Sequence, residues 1–248
     1  MKRILLLTIA VLAAATSCSK KVSSEQLIEG LVQHFDTKGD QFSEPLAGKS
    51  AENRADFITY HLGKTLGAAD IWTLDVGSSD EENGQVIVAE FKSHDKNADI
   101  SVLSASLDDP EACGAVLAVL DAFKQAKIRP AMALRAVFYD GGETGTEGIR
   151  TLYDDFNQSG EIAAFDIEVS SLDSIPEKTF LIEDRPVFVR KIIEVIPAYL
   201  TPVCQASVKA SVFPREGWPV LTPTYRYRLG DDRIDDLKAL SVFTLLMN

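Results

Sequence analysis

Apolar residues in the first third of the chain recur at helical spacing. Ser23 is followed three residues later by Gln26, the pattern of a capping box, and predicts the start of a helix. A second helix is predicted from Ser50 to about Leu66, because its apolar positions share one face and Gly67 can end it. The residues expected on that buried face are Ala55, Ile58, Leu62 and Leu66.

Strand patterns begin after residue 70. Residues 71–76 and 85–91 have strand-forming composition, and the polar segment 77–84 between them is suited to the turn of an antiparallel hairpin. From residue 100 onward, strand and helix patterns alternate. The predicted strands are 100–105, 132–139, 162–169, 203–212 and 219–227, and the predicted helices are 111–127, 144–157, 187–199 and an amphipathic 231–247.

This alternation defines the expected fold class. Apolar strands joined by helical crossovers predict an α/β fold, a three-layer α/β/α sandwich whose mixed sheet is mostly parallel. The hairpin at 71–91 would add an antiparallel pair at one edge. In such sheets ligands bind beyond the carboxyl ends of the strands, so the residues at the strand ends are the candidates for chemistry.

The first eighteen residues have the pattern of a targeting signal. Lys2 and Arg3 precede the apolar run 4–15, which is too short to span a bilayer permanently, and small residues lead to Cys18. The segment resembles a bacterial lipoprotein leader, which implies cleavage before Cys18 and acylation of that residue. An ordinary secretory signal followed by an incidental cysteine is the alternative.

The leader divides the chain into three parts. Residues 1–17 are expected to form the signal peptide, residues 18–24 the lipidated cysteine and a polar tether, and residues 25–248 one α/β domain. The expected location is the bacterial cell envelope. There a lipid anchor would hold the protein at a membrane. The outer membrane is expected, with the protein facing the periplasm or the cell surface.

Composition and charge narrow the possible partners. The 248 residues are 46% hydrophobic and 25% charged, which is typical of a globular protein, and the formal net charge is −12. A phosphate backbone needs a basic face, and the sequence contains no strongly basic cluster. Nucleic acid is therefore not an expected partner.

Two cysteines remain beyond the leader, Cys113 and Cys204. An oxidising compartment tolerates a disulfide between them, but buried free cysteines are also common in protein cores. The sequence alone leaves both possibilities open.

Acidic residues accumulate where the predicted central strands end. Asp108 and Asp109 follow the first of these strands, Glu143 follows the second, and Asp166 lies in the third. Carboxylates from three neighbouring strands that converge would suit a cation or acid–base chemistry. The alternative, favoured for Asp108, Asp109 and Glu143 taken singly, is that each one caps the helix after its strand.

Six segments in order along the chain resemble the secreted zinc aminopeptidase and glutaminyl cyclase family. They are an opening loop Glu44-Pro45-Leu46-Ala47-Gly48-Lys49-Ser50, the strand end Ser104-Ala105-Ser106-Leu107-Asp108, the turn 109–115, the strand and helix start 136–148, Ala164-Phe165-Asp166, and 213–220. The resemblance covers about Pro45 to Leu221 and implies a zinc-exopeptidase-like fold. Active members of that family hold two zinc ions and use a glutamate as general base.

Several positions depart from that family's pattern. The first zinc-binding histidine is replaced by Ser106 and the general base by Gly142, and the bridging aspartate either falls at Pro110 or is lost in a shortened loop. The last histidine position falls near Ala210. The resemblance therefore implies no bound metal and no catalytic residue in this chain, although zinc is the cofactor of active relatives.

Other family positions are retained. Glu143 and Asp166 match metal ligands, and Asp108 matches the aspartate that orients the missing histidine. With Ser106 they form a remnant cleft, and the three carboxylates are weak candidates for a hard cation such as calcium. The three histidines, His34, His61 and His94, match no ligand position and are expected to be surface or core residues.

Three functions remain open at this point. The first is an inactive, lipid-anchored homologue whose cleft binds a peptide or another small molecule. The second is an active metallopeptidase-like hydrolase with a rebuilt site that uses Ser106, Cys113, Glu143 or Asp166, for which no nearby histidine base is evident. The third is a scaffold whose outer surface, rather than its cleft, contacts a partner.

Overall fold

The chain folds around one sheet flanked by helices. The computed structural model describes residues 23–68, 70–76, 84–93, 95, 98–140, 147–161, 163–171, 180–181, 187–212 and 223–248. Within these ranges the strands are β1 Asp70–Val76, β2 Gly84–Phe91, β3 Ile100–Ser106, β4 Ala133–Tyr139, β5 Ala163–Ser170, β6 Phe180–Leu181, β7 Val208–Val212 and β8 Pro223–Arg228. The helices are α1 Ser24–Lys38, α2 Ser43–Leu46, α3 Ala51–Tyr60, α4 Pro110–Gln125, α5 Glu147–Ser159, α6 Val187–Val195, α7 Thr201–Ser207 and α8 Arg233–Met247.

The described strands form one mixed sheet in the order β1-β2-β4-β3-β5-β8-β7-β6. The four central strands, β4, β3, β5 and β8, are parallel. Antiparallel strands flank them on both sides, β1 and β2 at one edge and β7 and β6 at the other. The α/β class and the hairpin of β1 and β2 are confirmed, and the antiparallel pairs at the second edge extend the prediction.

Local sequence signals set the ends of the first helices. Ser23 and Gln26 form the predicted reciprocal capping box at the start of α1. The Ser50 hydroxyl accepts a hydrogen bond from the N–H of Asn53 and begins α3. Helical structure continues from α3 through a π-helical turn, His61–Leu66, and ends at Gly67, whose φ of 73° favours glycine.

The sheet has a different cover on each side. Helices α1, α4, α7 and α8 pack on one side, called the α4 side, over the larger apolar core. Helix α5 packs on the other side, over β1 and β2, and completes the sandwich. Because α4 follows β3 and α5 follows β4, the chain leaves two adjacent parallel strands toward opposite sides. A crevice at their carboxyl ends is the usual ligand site in such sheets.

Two predictions about the final third of the chain are wrong. The predicted strand 203–212 begins as the helix α7, because Pro202 presets a helical φ in its first turn, and only Val208–Val212 is a strand. The closing helix α8 is not amphipathic. It is buried along nearly its whole length, because it packs against α1, α4, α6 and α7.

The helix predicted over 187–199 ends at Val195, since Pro197 cannot continue a helix. In the described ranges, no helix combines the length and the apolar character that a membrane crossing needs.

Candidate functional site

The carboxyl end of β3 leads into a tightly bonded loop. The Ser106 hydroxyl accepts a hydrogen bond from the N–H of Asp108 (3.2 Å), and the Ser106 carbonyl accepts one from the N–H of Asp109 (3.0 Å). The Arg54 guanidinium of α3 donates to the Leu107 carbonyl. Ser106, which stands where the resemblance places a zinc-binding histidine, therefore closes the loop with its own hydroxyl.

Asp109 caps α4 and also binds the end of β5. One carboxylate oxygen, Oδ1, accepts from the N–H of Ala112 (2.9 Å) and from the Ser171 hydroxyl (2.7 Å). The other, Oδ2, accepts from the N–H of Ser171 (2.7 Å). The side chain is buried, so these charge-assisted bonds replace its contacts with water. The capping interpretation is confirmed for Asp109.

Asp108 and Asp166 lie at different levels of the sheet. Asp108 is exposed in the loop after β3. Asp166 pairs in register with Val102, four residues before β3 ends at Ser106, which is about 13 Å along a strand. It is buried and accepts a hydrogen bond from the Ser104 hydroxyl (2.8 Å). The two aspartates therefore do not meet at the strand ends.

A cluster of polar side chains lies on the side of β3, β5 and β8 opposite the α4 side. We call it the polar patch, and its members are Ser104, Asp166, Glu168, Thr224 and Arg226. Arg226 donates to both carboxylate oxygens of Glu168 (2.9 and 3.0 Å), and their side chains are only 9% and 12% exposed. This is a buried, bidentate ion pair.

Tyr139 joins the polar patch from the end of β4. Its hydroxyl donates to Glu168 Oε1 (3.1 Å). Burial raises the pKa of Tyr139 well above its usual value, and the charges of Glu168 and Asp166 raise it further. Tyr139 is therefore a neutral hydrogen-bond donor at physiological pH.

Apart from Asp166, the members of the polar patch were missed from the sequence, although a signal for them exists. In β5, Asp166 and Glu168 alternate with apolar residues, and in β8 Arg226 lies between two tyrosines. The alternation in β8 predicts one packed and one solvated face. The structure instead buries Arg226, because β5 places Glu168 directly opposite it in the sheet.

A second buried arginine lies nearer the amino ends of the strands. Arg135 of β4 contacts Glu90 (3.1 Å) and Glu161 (2.7 Å), and its guanidinium lies over the rings of Trp72 and Phe156. Burial alone would lower the pKa of Arg135, but the two glutamates outweigh that effect and raise it. This cluster ties β2 and β4 to the end of α5 and is structural.

The glycine at position 148, in the first turn of α5, is required for steric reasons. A Cβ atom on Gly148 would lie 2.7 Å from the Asp140 carbonyl oxygen and 2.8 Å from Tyr139 Cβ. Helix α5 therefore needs a glycine there to pack closely on the end of β4.

Among the described cysteines and histidines, no nucleophile and base are paired at the strand ends. Cys113 and Cys204 are buried and form no disulfide with each other, and burial raises the pKa of the Cys113 thiol, which donates to the Ser106 carbonyl. His34 and His61 lie near Asp121, in the second half of α4 and away from the strand ends. Burial lowers the pKa of both histidines.

Several predicted residues lie outside the described ranges. These are Cys18, Gly142, Glu143, His94 and the segment 213–220. The backbone of Ala210 is part of β7, and its side chain is not described.

The described residues do not fit a zinc centre. Zinc in proteins is held by histidine nitrogen, cysteine sulfur and carboxylate oxygen in a tetrahedral shell. In the part of the chain that the structure describes, no three His, Cys, Asp or Glu side chains are grouped so that they could hold a metal ion. At the strand ends, both oxygens of Asp109 already accept hydrogen bonds and the Cys113 thiol is protonated.

Comparison by sequence finds no relative: neither a protein-family model nor a curated protein matches the chain. Solved structures do match its fold. A glutaminyl cyclase from Macrostomum lignano has a TM-score of 0.58 at 13% identity, over 95% of this chain and 96% of that one. A Zn-dependent exopeptidase from Parabacteroides distasonis has a TM-score of 0.53 at 11% identity, over 90% and 96%. LapB from Legionella pneumophila has a TM-score of 0.50 at 13% identity, over 99% and 80%.

These similarities establish the fold. The chain has an α/β fold like that of zinc exopeptidases and glutaminyl cyclases, with a mixed sheet and antiparallel edge strands. Identity this low does not carry an activity from those proteins to this one.

Proposed function

We propose that this protein is anchored to the bacterial cell envelope through an acylated Cys18 and binds a peptide or another small molecule in the cleft at the carboxyl ends of its central strands. On this proposal it has no zinc peptidase or cyclase activity. The cleft positions of the resemblance include Ser106, Asp108, Glu143 and Asp166, and the base position holds Gly142.

One observation carries the proposal. Among the described residues at the strand ends, Asp109 accepts three hydrogen bonds from Ala112 and Ser171. Ser106 closes the same loop. Both groups are therefore engaged in holding the loop after β3, and Asp109 also holds the end of β5. These hydrogen bonds would shape the rim of the proposed cleft.

The charge of the cleft suggests the ligand class. Asp108 is exposed at this rim, and the chain as a whole has a net charge of −12. A free amino group is the simplest complement to an exposed carboxylate. A peptide amino terminus is therefore the proposed ligand group.

Metal analysis tests the missing activity. The purified chain from residue 18 onward would be dialysed against zinc and then against buffer, and the retained metal measured by mass spectrometry. We expect substoichiometric zinc and no release of an amino-terminal residue from peptide substrates. Stoichiometric zinc with aminopeptidase or cyclase turnover would overturn the proposal.

Peptide binding tests the cleft itself. Calorimetry with a tripeptide and with its N-acetylated form should show roughly tenfold weaker binding of the acetylated peptide, since acetylation removes the charged partner of Asp108. Asp108→Asn should reduce that difference. Asp75→Asn, at an exposed position on β1, is the matched control and should leave it unchanged.

The anchor has its own test. Mass spectrometry of the amino-terminal peptide from bacterial membranes should find acyl groups on Cys18, and Cys18→Ser should release the protein into the soluble fraction. An unmodified Cys18 in a membrane-free protein would refute this part of the proposal.

A further inference from the structure

A groove of about 430 Å³ lies at the opposite end of the sheet from the candidate cleft. It forms where the π-helical turn, the end of β2, the end of α4 and the start of β4 meet. Its floor is apolar and includes Leu66, Phe91, Phe123 and Ile128. Its rim consists of four exposed cations, Lys92, Lys124, Lys127 and Arg129. We call this site the basic groove.

The charge of the basic groove contrasts with that of the molecule. The chain has 37 acidic residues against 25 basic ones, yet four cations surround this one groove. Lys92 also lies 3.1 Å from Asp70, but both side chains are well exposed, and such a pair holds its partners weakly. An apolar floor with a cationic rim matches an anionic amphiphile.

The packing of α1 against α4 places the start of α1 at the same end. His34 Nε2 lies 3.5 Å from Asp121 Oδ2, and a Cβ on Gly30 would lie 4.0 Å from Ala126 Cβ. The earlier residue of α1 thus lies beside the later residue of α4, so the two helices are antiparallel. Ser24, six residues before Gly30, therefore lies about 9 Å beyond the level of Ala126, on the side of the basic groove.

Exposed acidic residues also lie at this end, namely Asp70, Asp95 and Asp99, but no described acidic residue lines the groove. Glu25 and Glu29 are exposed on the first turns of α1. The excess of positive charge is therefore confined to the groove lining, which holds four cations.

The proposed anchor at Cys18 would hold this end close to a membrane. Cys18 is six residues before Ser24, and six extended residues span at most about 20 Å. An acylated Cys18 would hold the start of α1, and with it the basic groove, within that distance of a bilayer. Basic residues that close to an anionic lipid surface are attracted to it.

We infer that the basic groove is a docking surface for a bilayer that contains anionic phospholipid. The inference rests on the proposed lipid anchor at Cys18 and deepens it, because it assigns the molecule an orientation. The amino ends of β3 and β4 face the membrane, and the cleft at their carboxyl ends opens away from it.

Vesicle flotation tests the basic groove without the anchor. The chain from residue 18 onward, carrying Cys18→Ser, contains every described residue and cannot be acylated. It would be mixed with phosphatidylcholine vesicles that contain no anionic lipid or about 30% phosphatidylglycerol. We expect binding to the anionic vesicles at least about tenfold stronger at low salt, and loss of that difference at about 0.5 M salt.

Matched variants locate the surface. Lys124→Gln with Lys127→Gln should weaken binding to anionic vesicles about 25-fold, roughly fivefold for each cation removed. Lys191→Gln with Arg228→Gln removes two exposed cations that lie outside the groove and should leave binding unchanged. Thermal melts of both double variants check that the fold is retained.

The outcomes separate the two proposals. Equal binding to neutral and anionic vesicles, or equal losses in the two double variants, would overturn the docking surface even where Cys18 carries acyl chains. An unmodified Cys18 would overturn the anchor, while salt-sensitive binding through Lys124 and Lys127 would still support the groove as a lipid-binding surface.

Discussion

Strands β5 and β8 bury apolar side chains on one side of the sheet and polar or charged side chains on the other. Toward the α4 side these strands present only apolar and aromatic residues, namely Phe165, Ile167, Val169, Tyr225 and Tyr227. Toward the other side the intervening positions form the polar patch with Asp166, Glu168, Thr224 and Arg226. One strand thus contributes to an apolar core and to a buried charge cluster at alternate residues.

The difference separates what folds the protein from what shapes its site. Buried apolar area stabilises a fold directly, by about 25 cal/mol per Å². A buried ion pair adds little net stability, because desolvation of both charges offsets their attraction. At β5 and β8, burial on the α4 side therefore contributes more to folding stability than the polar patch does.

The largest expected effect comes from breaking the ion pair of the polar patch. Arg226→Met should destabilise the protein by about 3–5 kcal/mol, because the Glu168 carboxylate stays buried without its guanidinium partner. Urea unfolding followed by circular dichroism measures the change.

A second variant tests the cause. Arg226→Met combined with Glu168→Gln removes both charges and keeps an acceptor for the Tyr139 hydroxyl. Most of the lost stability should return. A double variant as unstable as Arg226→Met alone would mean that side-chain packing, rather than the buried charge, explains the loss.

Two tyrosines offer a matched comparison between the sides. Tyr139 donates to the Glu168 carboxylate, whereas Tyr227 donates to the Asp236 carbonyl (3.1 Å). Hydrogen bonds to charged groups are stronger than hydrogen bonds to neutral groups. Tyr139→Phe should therefore lower the free energy of unfolding by about 1.5–3 kcal/mol, and Tyr227→Phe by about 0.5–1.5 kcal/mol. Equal costs in urea unfolding would remove the distinction between the two environments.

The same tyrosines predict how stability changes in alkaline solution. Burial raises the pKa of Tyr139 and of Tyr227 well above 10, so the unfolded chain loses these protons first as pH rises. Stability should therefore fall above pH 10, by about 1.4 kcal/mol per pH unit for each buried tyrosine. Each Tyr→Phe variant should show a shallower decline, and an unchanged slope in both would contradict these pKa shifts.

Much of the fold could be predicted because its signals are local. The Ser23 and Gln26 capping box, the Ser50 cap and Gly67 each act within one turn of helix. The predictions failed where packing decides the structure. The closing helix α8 was expected to expose one face, but four neighbouring helices cover it, and nothing in its own sequence reports them.

The candidate site was harder to predict, because its residues are distant in sequence. The cap at Asp109 follows from residue type, but its bonds to Ser171 depend on the end of β5, which lies 62 residues later. The burial of Arg226 depends likewise on Glu168, 58 residues away. The sequence of β8 shows that tyrosine and arginine residues alternate, whereas only the strand order shows that both faces of β8 are covered.

The smallest expected effect tests whether the two sides act independently. Ile167 lies between Asp166 and Glu168 in β5, but its side chain enters the apolar core. Ile167→Val removes one methylene there and should cost only about 0.5–1.5 kcal/mol in urea unfolding. The decline of stability with rising pH above 10 should be the same as in the parent protein, since Tyr139 and Glu168 on the other side of the sheet are unchanged. A larger cost, or a changed slope, would show that the polar patch depends on exact packing across the strand, and the two sides would then have to be treated as one coupled unit.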